Sequence, residues 1–155
     1  MSTKLLNPSD VHAPAGPYSH TASVAAGAEL VFIAGQVGMR VDGSIAEGFA
    51  EQAEVTFDNV RRCLAAHGLG VGAVVRLGVF VPPGQDLKVL RAIREKHFGA
   101  HRPTSTTVYV PALASPAFLL EVEAIAVKTS SPARRAAGRP AKRARATAKR
   151  ARKRR

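Results

Sequence analysis

The stretch FAEQAEVTFDNVRRCLAAHGLGVGAVVRLGVFVPP, residues 49–83, changes its apolar period halfway along. In its first half Phe49, Ala53, Phe57, Val60 and Leu64 recur at helical spacing, and Gly68 is a natural stop. In its second half AVVRLGVFVPP (73–83) is rich in β-branched residues and ends in two prolines, which reads as a strand. The next segment, DLKVLRAIREKHFG (86–99), returns to the helical period. Asp86 is placed to cap it, Leu87, Leu90, Ile93 and His97 share a face, and Gly99 follows its end. Upstream, YSHTASVAAGAELVFIAGQVG (18–38) reads as two short strands with a glycine-containing turn near Ala26–Glu29. Downstream lie RPTSTTVYV (102–110) and FLLEVEAIAV (118–127), both strand-like. The order β-β-α-β-α-β-β predicts an α+β domain with two helices on one face of a mixed sheet.

Strand alternation assigns the faces. Leu120, Val122, Ala124 and Ala126 suit the helix side of the last strand, while Glu121 and Glu123 project oppositely with Ile125 and Val127. In the central strand Val75, Leu77, Val79 and Val81 are oily, and Arg76, Gly78 and Phe80 are mixed. The open face is therefore half apolar and suits a second copy of the chain or a ligand site. In 102–110, Ser105, Thr107 and Tyr109 face opposite to Thr104, Thr106, Val108 and Val110, and this polar set is equipped to line a cleft.

The formal charge of +12 is localised. Twelve Lys/Arg and no acid lie from Thr129 onward, whereas residues 1–128 carry eleven of each sign. This predicts a neutral domain, 1–128, and a basic tail, 129–155. Cys63 is the single cysteine, so no internal disulfide forms and a reducing compartment fits. It is expected as a small packed side chain of the first helix. ELVFIAG (29–35) is too short to span a bilayer and no signal-peptide core precedes it, so the chain reads as cytoplasmic, with no membrane partner.

Several blocks carry a resemblance: APAGPYSH (13–20), VFIAGQV (31–37), residues 50–81, RPTSTTVYV and LEVEAIAV (120–127). Over about residues 13–128 the chain resembles the RidA (YjgF/YER057c/UK114) family. The resemblance implies a chorismate-mutase-like fold, a homotrimer with a ligand cleft at each subunit interface, and hydrolysis of reactive enamines and imines to ketones and ammonia without metal or organic cofactor. It places Glu123 at the family's acidic, catalytic position, Tyr18 at its cleft tyrosine and Gly35 at the backbone-lined turn. One expected element is absent. The family's deaminases read Pro-x-Arg-Ser where this chain has Pro103-Thr104-Ser105-Thr106, so Ser105 stands where the carboxylate-gripping guanidinium belongs. Arg102, three residues away, points to the opposite strand face. Arg91 stands where the family carries an asparagine; its stem can reach the cleft, or it can lie in solvent beside Glu95 at i+4.

The expected ligand-binding set is thus Tyr18, Gly35, Ser105, Thr107 and Arg91, around a small imine, enamine or related metabolite. Weak action on 2-iminopropionate follows from the missing clamp. No metal is expected: His97 and His101 have i,i+4 spacing, but Gly99 breaks that helix. His20 edges the cleft or simply sits on a strand. GLGVG (68–72) links a helix to a strand without phosphate-loop context. The tail SSPARRAAGRPAKRARATAKRARKRR (130–155) has no large apolar residue and is expected to be disordered alone. Arg139, Lys142, Arg143, Arg145, Lys149 and Arg150 are its candidate contacts to DNA or RNA, non-specific in kind. The alternative function is accordingly a non-catalytic, ligand-binding or nucleic-acid-associated trimer.

Overall fold

In the computed structural model, which describes residues 3–129, the elements run β1 (Lys4–Leu6), β2 (Thr21–Ser23), β3 (Glu29–Val37), α1 (Gly48–Ala66), β4 (Val74–Val81), α2 (Leu87–Phe98), β5 (Thr104–Tyr109) and β6 (Glu121–Lys128). The main sheet has the order β3-β6-β4-β5, with β4 and β5 parallel and the other pairs antiparallel. Two helices pack on this mixed sheet, which is the α+β arrangement that the changing period predicts.

The region before β3 differs from expectation. An additional strand, β1, takes β2 as its partner in a separate two-stranded ribbon, with Leu5 opposite Ala22. β2 and β3 therefore do not pair. The N-terminal segment claims the backbone and side-chain groups near β2 instead: His20 N donates to Asn7 Oδ1 at 2.8 Å and Thr21 Oγ1 donates to the Leu6 carbonyl at 3.1 Å.

The helix boundaries follow from local chemistry. Asp86 Oδ1 accepts from Lys88 N at 2.8 Å, capping α2. Gly99 ends it at φ 56°, where its N–H still reaches the Glu95 carbonyl at 2.8 Å. The buried stripe of α1 (Ala53, Phe57, Val60, Leu64) packs over β3 and β6 and shares one core with Val31 and Ile33 of β3, Leu77 and Val79 of β4, and Val122 and Ala124 of β6. Phe57, Leu64, Leu77 and Leu120 are fully buried, each contributing about 1.5–3 kcal/mol by leaving water. Cys63 packs against this core. Gln52, also buried, ties α1 to the loop before β6. Its Nε2 donates to the Ala46 and Ala117 carbonyls at 3.1 and 2.8 Å, and its Oε1 accepts from Leu119 N at 2.9 Å.

Register decides what the helix-free face presents. Opposite Gly78 stands Glu123, and opposite Phe80 stands Glu121. Between Ile33 and Gln36 the β3–β6 register shifts by one residue, a bulge that contains Gly35. Glutamates lie over both glycines. A methyl group at Gly78 would meet Glu123 Oε1 at 2.5 Å, and one at Gly35 would collide with the Glu121 carboxylate. Around them Phe32 is 71% exposed, Leu30 46% and Val108 40%, which leaves an uncovered apolar surface.

Candidate functional site

β5 is an edge strand of the main sheet, and its parallel register with β4 orients the hydroxyl row. Ser105 pairs with Leu77 and Thr107 with Val79, so both hydroxyls take the helix side of the sheet along with those core residues. There they line a cavity of about 280 Å³ between β5, α2 and the segment 15–18. The floor is apolar, made by Phe57, Val79, Leu87 and Leu90, and the remaining walls carry Tyr18, Arg91, Arg94, Ser105 and Thr107. No carboxylate lines it.

The segment 15–18 is held against β5 by its neighbour Ser19. That buried side chain donates from Oγ to the Arg102 carbonyl at 2.6 Å, and its backbone N–H donates to the Pro103 carbonyl at 3.2 Å. Tyr18 Oη accepts from Ala15 N at 3.3 Å, which turns the phenol back over its own loop. Gly16 leaves room for the Arg91 guanidinium, whose Nη2 would lie 3.6 Å from a methyl group placed there. Arg91 thus takes the cavity-facing option, and no Arg91–Glu95 ion pair forms among the described residues.

Of the expected ligand set, then, Tyr18, Arg91, Ser105 and Thr107 come together. Glu123 and Gly35 do not join them within one chain; both sit on the opposite face of the sheet. Glu121, rather than Glu123, is the acid that overlies Gly35. Arg102 stays out of the cavity and donates to the Gly99 and His101 carbonyls at the end of α2. His20 also lies outside it. Its Nε2 meets the His12 carbonyl at 2.7 Å, and its ring packs edge-on against Tyr18. His97, which does not line the cavity, is bound to Glu54 Oε2 at 2.8 Å, and His101 to the Val74 carbonyl at 2.7 Å. Glu54 is held below the usual carboxylate range, chiefly by its hydrogen bond from Lys96. Among the described residues no group of three or more His, Cys, Asp or Glu gathers. The six candidate nucleic-acid contacts of the tail, Arg139 to Arg150, lie outside the described residues.

One residue of the site escaped the sequence reading. Arg94 is only 7% exposed, yet it lines the cavity. Its Nη1 donates to Ser105 Oγ at 3.0 Å, while its Nη2 is buried with no hydrogen-bond partner. Burial, and then the nearby positive charge of Arg102, lower its pKa to about 10. The side chain remains cationic at neutral pH. A signal was present: Arg94 stands at i+7 from Leu87 and i+4 from Leu90, on the buried stripe of α2.

Comparison with known proteins places this geometry. A family model described as Endoribonuclease L-PSP matches residues 9–128. A RutC family protein of Aquifex aeolicus is 34% identical over 118 residues, covering 74% of this chain and 91% of its own. A 2-iminobutanoate/2-iminopropanoate deaminase of Dermatophagoides farinae is 28% identical over 116 residues, covering 74% and 88%. Among solved structures, the Rid-family protein YyfB of Yersinia pestis superposes with a TM-score of 0.72 at 27% identity, covering 81% of this chain and 98% of its own. Escherichia coli TdcF with bound serine gives 0.62 at 29%, covering 81% and 99%.

Proposed function

The chain belongs to the Endoribonuclease L-PSP (YjgF/RidA) family, and from that premise we propose that its cavity takes a small imine, enamine or related carboxylate metabolite for hydrolytic deamination. The observation that carries the reading is the cavity itself: three hydroxyls and two guanidiniums over an apolar floor, with no acid to repel an anionic substrate. A relative named as a 2-imino acid deaminase and another crystallised with an amino acid support the ligand class.

The reaction adds water across the C=N bond. The nitrogen of the resulting carbinolamine is protonated, the C–N bond breaks, and a ketone and ammonia leave. A positioned carboxylate that first takes and then returns a proton serves both steps. Glu123 fits that role chemically, and Tyr18, Ser105 and Thr107 orient the substrate. Because Glu123 faces away from the cavity of its own chain, the reading requires the open face of one copy to close over the cavity of the next. A homotrimer with intersubunit clefts does this, and exposed Phe32, Leu30 and Val108 supply apolar surface for it.

Ser105 offers the substrate carboxylate no guanidinium from the strand. A lost bidentate contact costs about 2–5 kcal/mol, or roughly 30- to several-thousand-fold in rate. 2-Iminopropionate, whose single methyl group covers least of the apolar floor, is the member least able to offset that loss and is therefore a poor substrate. The test is a panel of 2-imino acids generated in situ by an amino-acid oxidase, followed through ammonia release. Turnover of some member, with 2-iminopropionate among the slowest and Glu123→Gln inactive, is expected. No acceleration on any member refutes the hydrolase, and fastest turnover of 2-iminopropionate refutes the inference from Ser105.

A second reading rests on where the charge lies. Twelve cations in 129–155 behind a formally neutral 1–128 favour non-specific DNA or RNA binding through the tail, independent of the cavity.

A further inference from the structure

A buried guanidinium needs a reason. Arg94 ties α2 to β5 through Ser105 Oγ, but a neutral donor would do that as well. Its charge gains little from the fold: burial and the repulsion of Arg102 outweigh the attraction of neighbouring Glu95. Among the described residues no carboxylate lies within ion-pair distance of it, and its Nη2 is left without an acceptor. Arg102 and Arg91 nearby add further positive charge. Buried cations are normally paired, and buried N–H groups normally have acceptors. The missing partner is an anion that comes from outside the chain.

We infer that Arg94 is the carboxylate-binding residue of the cavity. It is delivered from α2 and held by Ser105, and it takes a compact carboxylate whose short carbon chain lies on Phe57, Val79 and Leu90. This rests on reading the cavity as a metabolite site. It deepens that reading by moving the anchor of the ligand from strand to helix. The Ser105 hydroxyl then acts as a brace, fixing Nη1 and leaving the rest of the fork to the ligand. Arg91, exposed at the mouth, adds attraction and contributes less, because water screens it. The cavity volume of about 280 Å³ admits a metabolite of a few carbons.

The probe is sodium 2-oxobutyrate, a stable ketone of the proposed product class, with its methyl ester as the uncharged control. Calorimetric titration of the full-length protein at constant ionic strength is expected to show 2-oxobutyrate binding and at least tenfold weaker binding of the ester. Arg94→Gln weakens 2-oxobutyrate at least thirtyfold. Arg94→Lys gives an intermediate loss, since an ammonium cannot make the forked contact. Arg91→Gln costs under tenfold. Folding of each variant is checked by circular dichroism. If Arg94→Gln does not fold, Ser105→Ala replaces it, with a three- to tenfold loss expected, together with a shift of the Arg94 Nε–Hε resonance of the native protein on titration. Unchanged affinity in a folded Arg94→Gln overturns the inference. So does absent 2-oxobutyrate binding by a native protein that still hydrolyses imines, and there the deaminase reading survives. Arg94-dependent binding without turnover of any imine does the reverse.

Discussion

If Arg94 is retained for a ligand and not for the fold, removing it should stabilise the empty protein. Arg94→Met keeps the aliphatic stem against Leu90 and deletes the charge. The lowering of its pKa to about 10 corresponds to about 3 kcal/mol, chiefly from burial of the charge, at 1.36 kcal/mol per decade of proton affinity. The sign follows from linkage. Below pH 10 the guanidinium is protonated in both folded and unfolded chains, so the penalty is fully present at pH 7. It fades as pH rises above about 10. Losing the hydrogen bond to Ser105 Oγ returns about 1–1.5 kcal/mol, because Ser105 is half-exposed and water can replace the donor. The net gain is about 1–2 kcal/mol, as when a buried ion gives way to an apolar side chain. For a domain of this size that raises the melting temperature by about 3–6 °C. Scanning calorimetry at pH 7 reads it directly, and the gain should shrink at pH 10.5. Adding 2-oxobutyrate should narrow or reverse the order, by stabilising the native protein alone. A fall of 4 °C or more in Arg94→Met would show that the residue serves the fold and that the reasoning from its unmatched charge is wrong.

Three other outcomes are expected. Gln52→Met strips partners from the Ala46 and Ala117 carbonyls and from Leu119 N, so it should cost about 3–5 kcal/mol and lower the melting temperature by 10 °C or more; a change under 3 °C would contradict it. Light scattering across a concentration series should return a trimer, and a stable monomer would remove the intersubunit cleft. Full-length protein should bind labelled duplex DNA with steep salt dependence while a 1–128 truncation does not; equal binding by the two would move the affinity into the domain.

The sequence was most legible where a single period ran unbroken. Phe57, Val60 and Leu64 of α1, the Asp86 cap and the Gly99 stop of α2 all stand where spacing predicts. The β1–β2 ribbon was not legible. Three residues such as Lys4–Leu6 show no alternation, and their partner lies across the intervening loop at Thr21–Ser23. Tyr18 and Ser105 could be placed by resemblance and Thr107 by strand alternation, because each stands in a block whose local form is fixed by its own strand or loop. Arg91 was left between the cleft and solvent, since helix spacing does not say where a long side chain ends.

The faces were harder, and the reason is physical. Alternation splits each strand into two sets, but it does not say which set of one strand shares a side with which set of the next; that requires register. Leu77 opposite Ser105 and Ala124 opposite Leu77 put the hydroxyls with the core side, and so Glu123 falls on the far side of the sheet. Arg94 was hidden for a related reason. A charged residue at an i+7 position of an apolar stripe is a local inconsistency, and such inconsistencies mark function more often than error. The resemblance pointed to Arg91. The stripe pointed one turn further along the same face, to the guanidinium whose charge the fold leaves unmatched.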